Sequence, residues 1–124
     1  MPAKVVDASV IAALAFDEPR ADEANGLISE GDLYAPRLLG YELTSTALKK
    51  ARQHPSEADL IEGGLEWALH MGVHLVNVPH LAVLRLALQT SLSAYDASYL
   101  YLARQLNAEL VTFDKRLEAA SKLT

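Results

Sequence analysis

Residues 3–16 read AKVVDASVIAALAF and give the clearest indication of the fold. The β-branched pair Val5 and Val6 lies directly before Asp7, which predicts a short strand over residues 3–7. Ser9 is expected to cap the apolar helix that follows, up to about residue 16. This helix is apolar on most sides, so we expect it to be buried. Pro19 should end it, because the residue before a proline avoids the helical conformation.

The rest of the chain continues to alternate strands with helices. Further strands are predicted at residues 33–35, 74–78 and 109–113, where apolar and β-branched side chains cluster. Helices are predicted at about residues 20–29, 38–52, 55–71, 79–91 and 93–106, with a last short helix from Asp114. Gly31 is expected to close the helix over residues 20–29. Such alternation predicts one α/β domain over residues 1–124, with helices around a mainly parallel sheet.

The amino-acid composition excludes several classes of protein. The chain has 124 residues, of which 51% are hydrophobic and 22% charged, and it has no cysteine. A disulfide framework and a cysteine-ligated zinc site are therefore excluded. The longest apolar run is far too short to span a bilayer, and Asp7 comes too early for a secretory apolar region, so we expect no targeting segment. We expect a cytoplasmic protein without a membrane partner.

The charge balance bears on nucleic-acid binding. Eleven Lys and Arg residues against sixteen Asp and Glu residues give a net charge of −5. Nucleic-acid binders usually carry an excess of basic residues, so this count alone opposes such a role. Bound divalent cations would change the balance, because one Mg²⁺ would bring −5 to −3 and two would bring it to −1.

Two acidic residues directly follow predicted strands. Asp7 ends the first strand and Asp114 follows the fourth. Both could be helix caps or turn residues, which are common uses of Asp. Both could instead be active-site acids, because open parallel sheets bind ligands beyond the carboxyl ends of their strands.

Two further acids lie on predicted helices. Asp96 is three residues after Ser93, so taken alone it is better explained as part of a helix cap. Glu42 lies at the edge of an apolar helix face between Leu39 and Thr46. A Glu seldom occupies such a position unless it is paired or binds a ligand, so a structural role explains Glu42 least well.

The strand order decides whether these four acids meet. In the order 3-2-1-4, strands one and four are neighbours, and a crevice opens where their connections diverge. Asp7 and Asp114 then share the crevice, and Glu42 and Asp96 come from helices that start on the same side. Four close carboxylates need a counter-charge, which Mg²⁺ or Mn²⁺ supplies to oxygen ligands. Hydrolysis of phosphodiesters is the natural use of such a site.

The residues around the acids resemble a known family. The matching motifs are Val-Val-Asp-Ala-Ser at 5–9, Tyr-Glu-Leu at 41–43, Tyr-Asp-Ala-Ser-Tyr-Leu-Tyr-Leu-Ala at 95–103 and Leu-Val-Thr-Phe-Asp-Lys-Arg-Leu at 110–117. In order and spacing they are similar to PIN domains, and most similar to the VapC-type toxins of toxin–antitoxin pairs. The resemblance extends over nearly the whole chain.

The resemblance implies a function and a site. It implies a three-layer α/β/α fold with strand order 3-2-1-4, in many members followed by a fifth strand that would be very short or missing here. It implies a Mg²⁺- or Mn²⁺-dependent endoribonuclease that forms a homodimer and is inhibited by a cognate antitoxin of a type II pair. The residues on the family's positions are the acids Asp7, Glu42, Asp96 and Asp114, as catalytic residues and metal ligands, and the supporting hydroxyls Ser9 and Thr112.

Three basic residues are candidates for contacts with RNA phosphates. Lys115 and Arg116 directly follow Asp114, and Arg37 lies just beyond the second strand. Each could equally be a solvated side chain at the end of an element.

Other functions for the same acids remain open. A PIN-like nuclease outside a toxin–antitoxin pair, or a phosphatase, could use the same site. Phosphatases that form an aspartyl-phosphate usually need a second Asp two residues after the first, where this chain has Ser9. A receiver-like signalling domain would place its acceptor Asp after the third strand, where this chain has Asn77. A PIN fold that only binds is opposed by the complete set of four acids.

Overall fold

The computed structural model describes residues 2–123 of the chain. In chain order, its strands are β1 (Ala3–Val6), β2 (Asp32–Pro36), β3 (His74–Val76) and β4 (Glu109–Val111). Its helices are α1 (Ala8–Ala15), α2 (Ala21–Ile28), α3 (Leu38–Gln53), α4 (Ala58–Leu69), α5 (His80–Thr90), α6 (Ala94–Leu106) and α7 (Lys115–Ser121). A 3₁₀ turn over Pro55–Glu57 precedes α4.

The strands form one parallel sheet in the order β3-β2-β1-β4. Val5 pairs with Tyr34 of β2 on one side and with Leu110 of β4 on the other, so β1 is a central strand. Valines suit this position because both faces of a central parallel strand are buried, and Val5 and Val6 are fully buried. The predicted order of the four strands is confirmed, and residues 2–123 contain no fifth strand.

Helices cover the sheet in a three-layer α/β/α arrangement, as expected. α1 packs against α2, α3 and α4, whereas α5 and α6 pack on each other and α6 lies against β1, β2 and β4. The core side chains between the layers include Ile11, Leu43, Tyr99, Leu100 and Leu117.

Gly64 permits the close contact of α4 with α1. A Cβ atom at Gly64 would collide with the carbonyl oxygen of Ala15, whereas a Cβ atom at Gly63 would meet nothing within 4 Å. The backbones of the two helices therefore approach each other at a point where only glycine fits.

Two local predictions are wrong in detail. The cap of α1 is Asp7, not Ser9, because the Asp7 carboxylate accepts hydrogen bonds from the backbone N–H groups of Ser9 and Val10. α2 ends at Ile28 with Ser29 as its cap, so Gly31 lies beyond the closing position. Gly31 instead allows a positive φ of 98° where the chain passes the carbonyl oxygen of Pro2.

Candidate active site

Asp7 is positioned by β1 and held from two sides. The strand carries it to the carboxyl edge of the sheet, where its side chain is buried and its backbone N–H donates to the carbonyl of Val111 at 3.1 Å. Its Oδ1 accepts from the Ser9 hydroxyl at 2.6 Å, and its Oδ2 accepts from the Thr112 hydroxyl at 2.5 Å. Both oxygens of this buried carboxylate are therefore satisfied and fixed in direction.

The same two hydroxyls also position the segment that carries Asp114. Ser9 Oγ accepts from the backbone N–H of Phe113 at 3.0 Å, and Thr112 Oγ1 accepts from that of Asp114 at 2.9 Å. Ser9 and Thr112 thus link Asp7 to the loop after β4. The two hydroxyls that the resemblance implied as supporting groups therefore lie beside these acids.

Asp114 also caps a helix. Its Oδ1 accepts from the backbone N–H of Leu117 at 2.9 Å at the start of α7, and its side chain is exposed. The capping use considered from the sequence is therefore real. It leaves Oδ2 of Asp114 to face solvent or a ligand.

Glu42 is half-buried on the second turn of α3. Its Oε1 accepts from the hydroxyl of Tyr99, on α6, at 2.6 Å. Tyr99 belongs to the core, since it is 1% exposed. The part that its hydroxyl plays in holding Glu42 was missed. The sequence feature that could have indicated this role is the position of Tyr99 three residues after Asp96, which places both side chains on one face of α6.

Asp96 lies in the first turn of α6. Its backbone N–H donates to the Ser93 hydroxyl at 3.0 Å, which confirms the predicted cap. The cap uses the backbone of Asp96 and leaves its carboxylate half-buried at the same edge of the sheet. Arg116, near this carboxylate, favours its ionised form.

The charges of the four acids act on one another. Burial raises the pKa of Asp7, although hydrogen bonds from Ser9 and Thr112 oppose the rise. Burial, then the charges of Asp7 and Asp96, raises the pKa of Glu42, and the Tyr99 hydrogen bond opposes it. Burial, then the charges of Asp114 and Asp7, raises the pKa of Asp96. We call Asp7, Glu42, Asp96 and Asp114 the acid cluster, since they share one electrostatic environment.

The acid cluster suits a hard divalent cation in its chemistry. All of its donors are carboxylate oxygens, which Mg²⁺ and Mn²⁺ prefer. Within residues 2–123, however, no three His, Asp or Glu side chains converge closely enough to form a ready coordination sphere. Charges of neighbouring acids help to raise the pKa of Glu42 and of Asp96, yet the four acids do not enclose a site. This is compatible with Mg²⁺, which keeps several waters and usually takes only one or two protein carboxylates.

The three basic candidates have different surroundings. Arg37 is exposed just after β2, with its backbone N–H donating to the carbonyl of Val76. Lys115 is exposed at the first residue of α7. Arg116 donates to the carbonyl of Ser91 at 3.0 Å. Of the three, it is the residue whose positive charge opposes the rise in the pKa of Asp96.

Two cavities lie outside the acid cluster. One of about 830 Å³ runs along β4 between α2 and α7, and a second of about 440 Å³ adjoins Phe113 and Lys115. Thr112 lines both cavities, and its hydroxyl donates a hydrogen bond to Asp7. We assign the candidate active site to the acids rather than to either cavity, because neither cavity is lined by a member of the acid cluster. No helix in residues 2–123 has the length and apolar character needed to cross a membrane.

Comparison with known proteins gives consistent results. A family model described as the PIN domain matches residues 4–123. Ribonuclease VapC3 of Pyrobaculum aerophilum is 31% identical over 118 residues, which cover 91% of this chain and 90% of that protein. Ribonuclease VapC9 of Mycobacterium tuberculosis is 34% identical over 113 residues, which cover 91% of this chain and 87% of that protein.

Solved structures resemble the fold closely. The crystal structure of PAE2754 from Pyrobaculum aerophilum superposes with a TM-score of 0.82 at 30% identity, covering 98% of this chain and 86% of the other. VapC20 of Mycobacterium tuberculosis, described as a toxin that cleaves the Sarcin-Ricin loop, superposes with a TM-score of 0.70 at 18% identity. That alignment covers 97% of this chain and 96% of VapC20, and at this identity it supports the fold alone.

Proposed function

The chain belongs to the PIN-domain family, and from that premise we propose that it is a metal-dependent endoribonuclease, the toxin of a type II toxin–antitoxin pair. The observation that carries the proposal is the acid cluster. Its four carboxylates come from four separate elements at the carboxyl edge of the sheet, where neighbouring acids contribute, after burial, to the raised pKa of Glu42 and of Asp96. Repulsion between these carboxylates destabilises the fold, and acids with a purely structural role would not need to lie so close together.

The metal ligands in this proposal are Asp7, Asp96 and Asp114, with Glu42 at their edge, and the ion is Mg²⁺ or Mn²⁺. When bound, such a cation offsets the negative charge of the acids and of a phosphodiester, and it favours the ionised form of water. Ser9 and Thr112 hold Asp7 in one orientation throughout. The number of ions, one or two, is left open by four carboxylates.

Glu42 suits proton transfer as well as metal binding. Tyr99 occupies its Oε1, which leaves Oε2 to accept a proton from the attacking water. Its pKa is raised by burial and by Asp7 and Asp96, and a raised pKa makes a carboxylate a stronger base near neutral pH.

The proposed substrate and partners follow from the relatives. Two relatives that align over most of this chain are named ribonucleases of the VapC type, which supports RNA as the substrate and an antitoxin as the partner. We place this reaction in the cytoplasm, where cellular RNA is available. Arg37, Lys115 and Arg116 are the proposed contacts for RNA phosphates around the acids.

RNA cleavage with and without the metal tests this function. We expect the wild type to cleave single-stranded RNA with Mg²⁺ or Mn²⁺ and to lose activity in EDTA. Asp7→Asn and Asp96→Asn should each be inactive at any metal concentration tested. Asp59→Asn is the matched control, because Asp59 is an exposed acid on α4 outside the cluster. Equal cleavage in EDTA, or by the two cluster variants, would exclude the mechanism. Activity on mononucleotides but not on RNA would indicate a phosphatase instead.

We also infer a homodimer and assign its contact surface to α5. Leu81, Leu84 and Leu88 share one face of this helix and are 68%, 54% and 75% exposed. Val83 and Leu86 bury the opposite face against the core. A stripe of exposed leucines at helical spacing is typical of a surface that another molecule covers.

A further inference from the structure

Arg20 and Phe113 form a stacked pair beside the sheet. The central guanidinium carbon of Arg20 lies 3.7 Å from the centre of the Phe113 ring. Glu23 holds the same guanidinium along one edge, because its two oxygens accept from Arg20 Nε and Nη2, each at 2.9 Å. One face and one edge of the guanidinium are therefore fixed. The opposite face is open to solvent, since the Arg20 side chain is 51% exposed.

Arg20 and Phe113 line a groove in which basic side chains outnumber acidic ones, and we call it the Arg20 groove. It is the cavity of about 440 Å³, and its charged residues are Arg20, Lys115, Lys122 and one acid, Glu118. Positive charges thus exceed negative ones in the groove, although the whole chain carries −5. Glu118 also lies 3.3 Å from the ammonium group of Lys122, and Glu23 pairs with Arg20. Because the Glu118–Lys122 pair is exposed, Lys122 can exchange it for contacts with a ligand.

The Arg20 groove adjoins the acid cluster through residues 112–114. Thr112 lines the groove, and its hydroxyl donates to Asp7. The backbone N–H of Phe113 donates to Ser9, which also donates to Asp7. Asp114 follows Phe113 directly. The ring under Arg20 is therefore tied to the acids by the same hydrogen bonds that position them.

We propose that the Arg20 groove is a nucleotide subsite in which an unpaired base of RNA stacks on the open face of Arg20. The base belongs to the nucleotide next to the phosphodiester held at the acid cluster, so this inference rests on the proposed function. Guanidinium planes and aromatic rings are common stacking surfaces for unpaired bases. Lys115, which forms no salt bridge within residues 2–123, contacts the neighbouring phosphate.

Cleavage of two substrates tests the subsite. We expect Arg20→Ala to lower kcat/KM for a short single-stranded RNA by about tenfold, the loss that follows from removing one stacking contact. The same variant should hydrolyse bis(p-nitrophenyl) phosphate as the wild type does, because this small diester reaches only the acids. Arg20→Lys keeps the charge but loses the planar group, so it should resemble Arg20→Ala.

Lys49→Ala is the matched control, because it removes one positive charge from an exposed position far along α3. Equal RNA cleavage by the Arg20 and Lys49 variants would overturn the subsite, as would an equal loss on both substrates. RNA binding in EDTA, measured by fluorescence anisotropy, separates this inference from the proposed function. Weaker binding by Arg20→Ala than by Lys49→Ala supports the subsite even if the wild type cleaves nothing, and equal binding contradicts it.

Discussion

Asp7 is the residue on which the geometry of the site depends. Its carboxylate accepts from the hydroxyls of Ser9 and Thr112 and from two backbone N–H groups at the start of α1. Such bonds stabilise the ionised form and oppose the cost of burial. A buried acid therefore remains available to a cation in a fixed orientation, because side chains outside the acid cluster hold it there.

Replacement of Thr112 tests this support. Thr112→Val removes the donor to Asp7 Oδ2 and the acceptor for the Asp114 backbone with little change in shape. We expect kcat for RNA cleavage to fall by roughly ten- to a hundredfold, the usual cost of losing such a supporting bond. Stability should fall by about 1–3 kcal/mol, because a buried acceptor loses its partner. Thr112→Ser should restore most of the activity, and full activity of Thr112→Val would show that the hydroxyl is not needed.

The hydroxyl of Tyr99 should set the pH range of activity. Its hydrogen bond lowers the pKa of Glu42, so Tyr99→Phe should let that pKa rise further. A higher pKa leaves less Glu42 ionised at a given acidic pH. The acidic limb of the kcat profile should therefore move to higher pH in Tyr99→Phe. Tyr101→Phe, the same change on the same helix, should leave the profile unchanged. A shift to lower pH in Tyr99→Phe would contradict the assigned role.

At the scale of single residues, the sequence indicated the four candidate acids but not the tyrosine that holds Glu42. Asp7, Asp114, Asp96 and Glu42 could be found because each lies at the end of a strand or in the first turns of a helix. Tyr99 could not be assigned to Glu42, because the two are 57 residues apart and meet only through tertiary packing. The cap of α1 was misplaced for a local reason. Ser9 is already the second residue of the helix, and the acid before it takes the capping bonds.

Among the contacts between elements, the contact between α1 and α4 leaves the least room for added side-chain atoms. Gly64 faces the backbone of Ala15 in α1, whereas Gly63 faces open space. α1 carries Asp7 at its N-terminus, so a shift of this helix would also move the active site.

Alanine substitutions at the two neighbouring glycines should have opposite effects. Gly64→Ala should destabilise the fold by about 1–3 kcal/mol, because the new methyl group has no space. Gly63→Ala should stabilise it by up to about 1 kcal/mol, because alanine favours a helix interior over glycine. Urea unfolding measures both, and equal effects of the two substitutions would exclude this packing argument.

The succession of elements could be predicted from the sequence because the alternation of apolar runs and helical periods is strong. Their ends could not be placed as well. β1, β3 and β4 end one or two residues before the predicted positions. After β1 and β4 the chain turns to Asp7 and Asp114, which cap the helices that follow. Pro55 was expected to open one long helix, yet residues 55–57 form a separate 3₁₀ turn. The strand order depends on pairing between distant segments. From the residues alone it was a condition for the acids to meet, and the order 3-2-1-4 was predicted from the resemblance.

At the scale of the whole molecule, charge and apolar surface are unevenly distributed. The net charge of −5 includes the four acids at one edge of the sheet, and bound cations would reduce it. In contrast, the face of α5 that carries Leu81, Leu84 and Leu88 is an apolar surface exposed to solvent. The active site and the proposed dimer contact therefore involve separate side chains.

Charged substitutions on α5 test the dimer. Leu84→Glu and Leu88→Glu should convert a dimer to a monomer in light scattering, because a buried contact cannot accept two unpaired carboxylates. Both variants should remain folded, since these side chains are exposed in the single chain. Leu60→Glu, on the exposed face of α4, should stay dimeric. A monomeric wild type, or variants that remain dimeric, would contradict the assignment.

The central claim is that the four carboxylates act together on one or two divalent cations, and direct measurement of Mn²⁺ binding tests it. Titration followed by electron paramagnetic resonance should show Mn²⁺ bound by the wild type and by Asp59→Asn with equal affinity. Asp7→Asn and Asp96→Asn should each weaken binding at least about tenfold, the range expected when a ligand or its support is lost. Equal Mn²⁺ affinity in all four proteins, or no binding by the wild type, would contradict the claim.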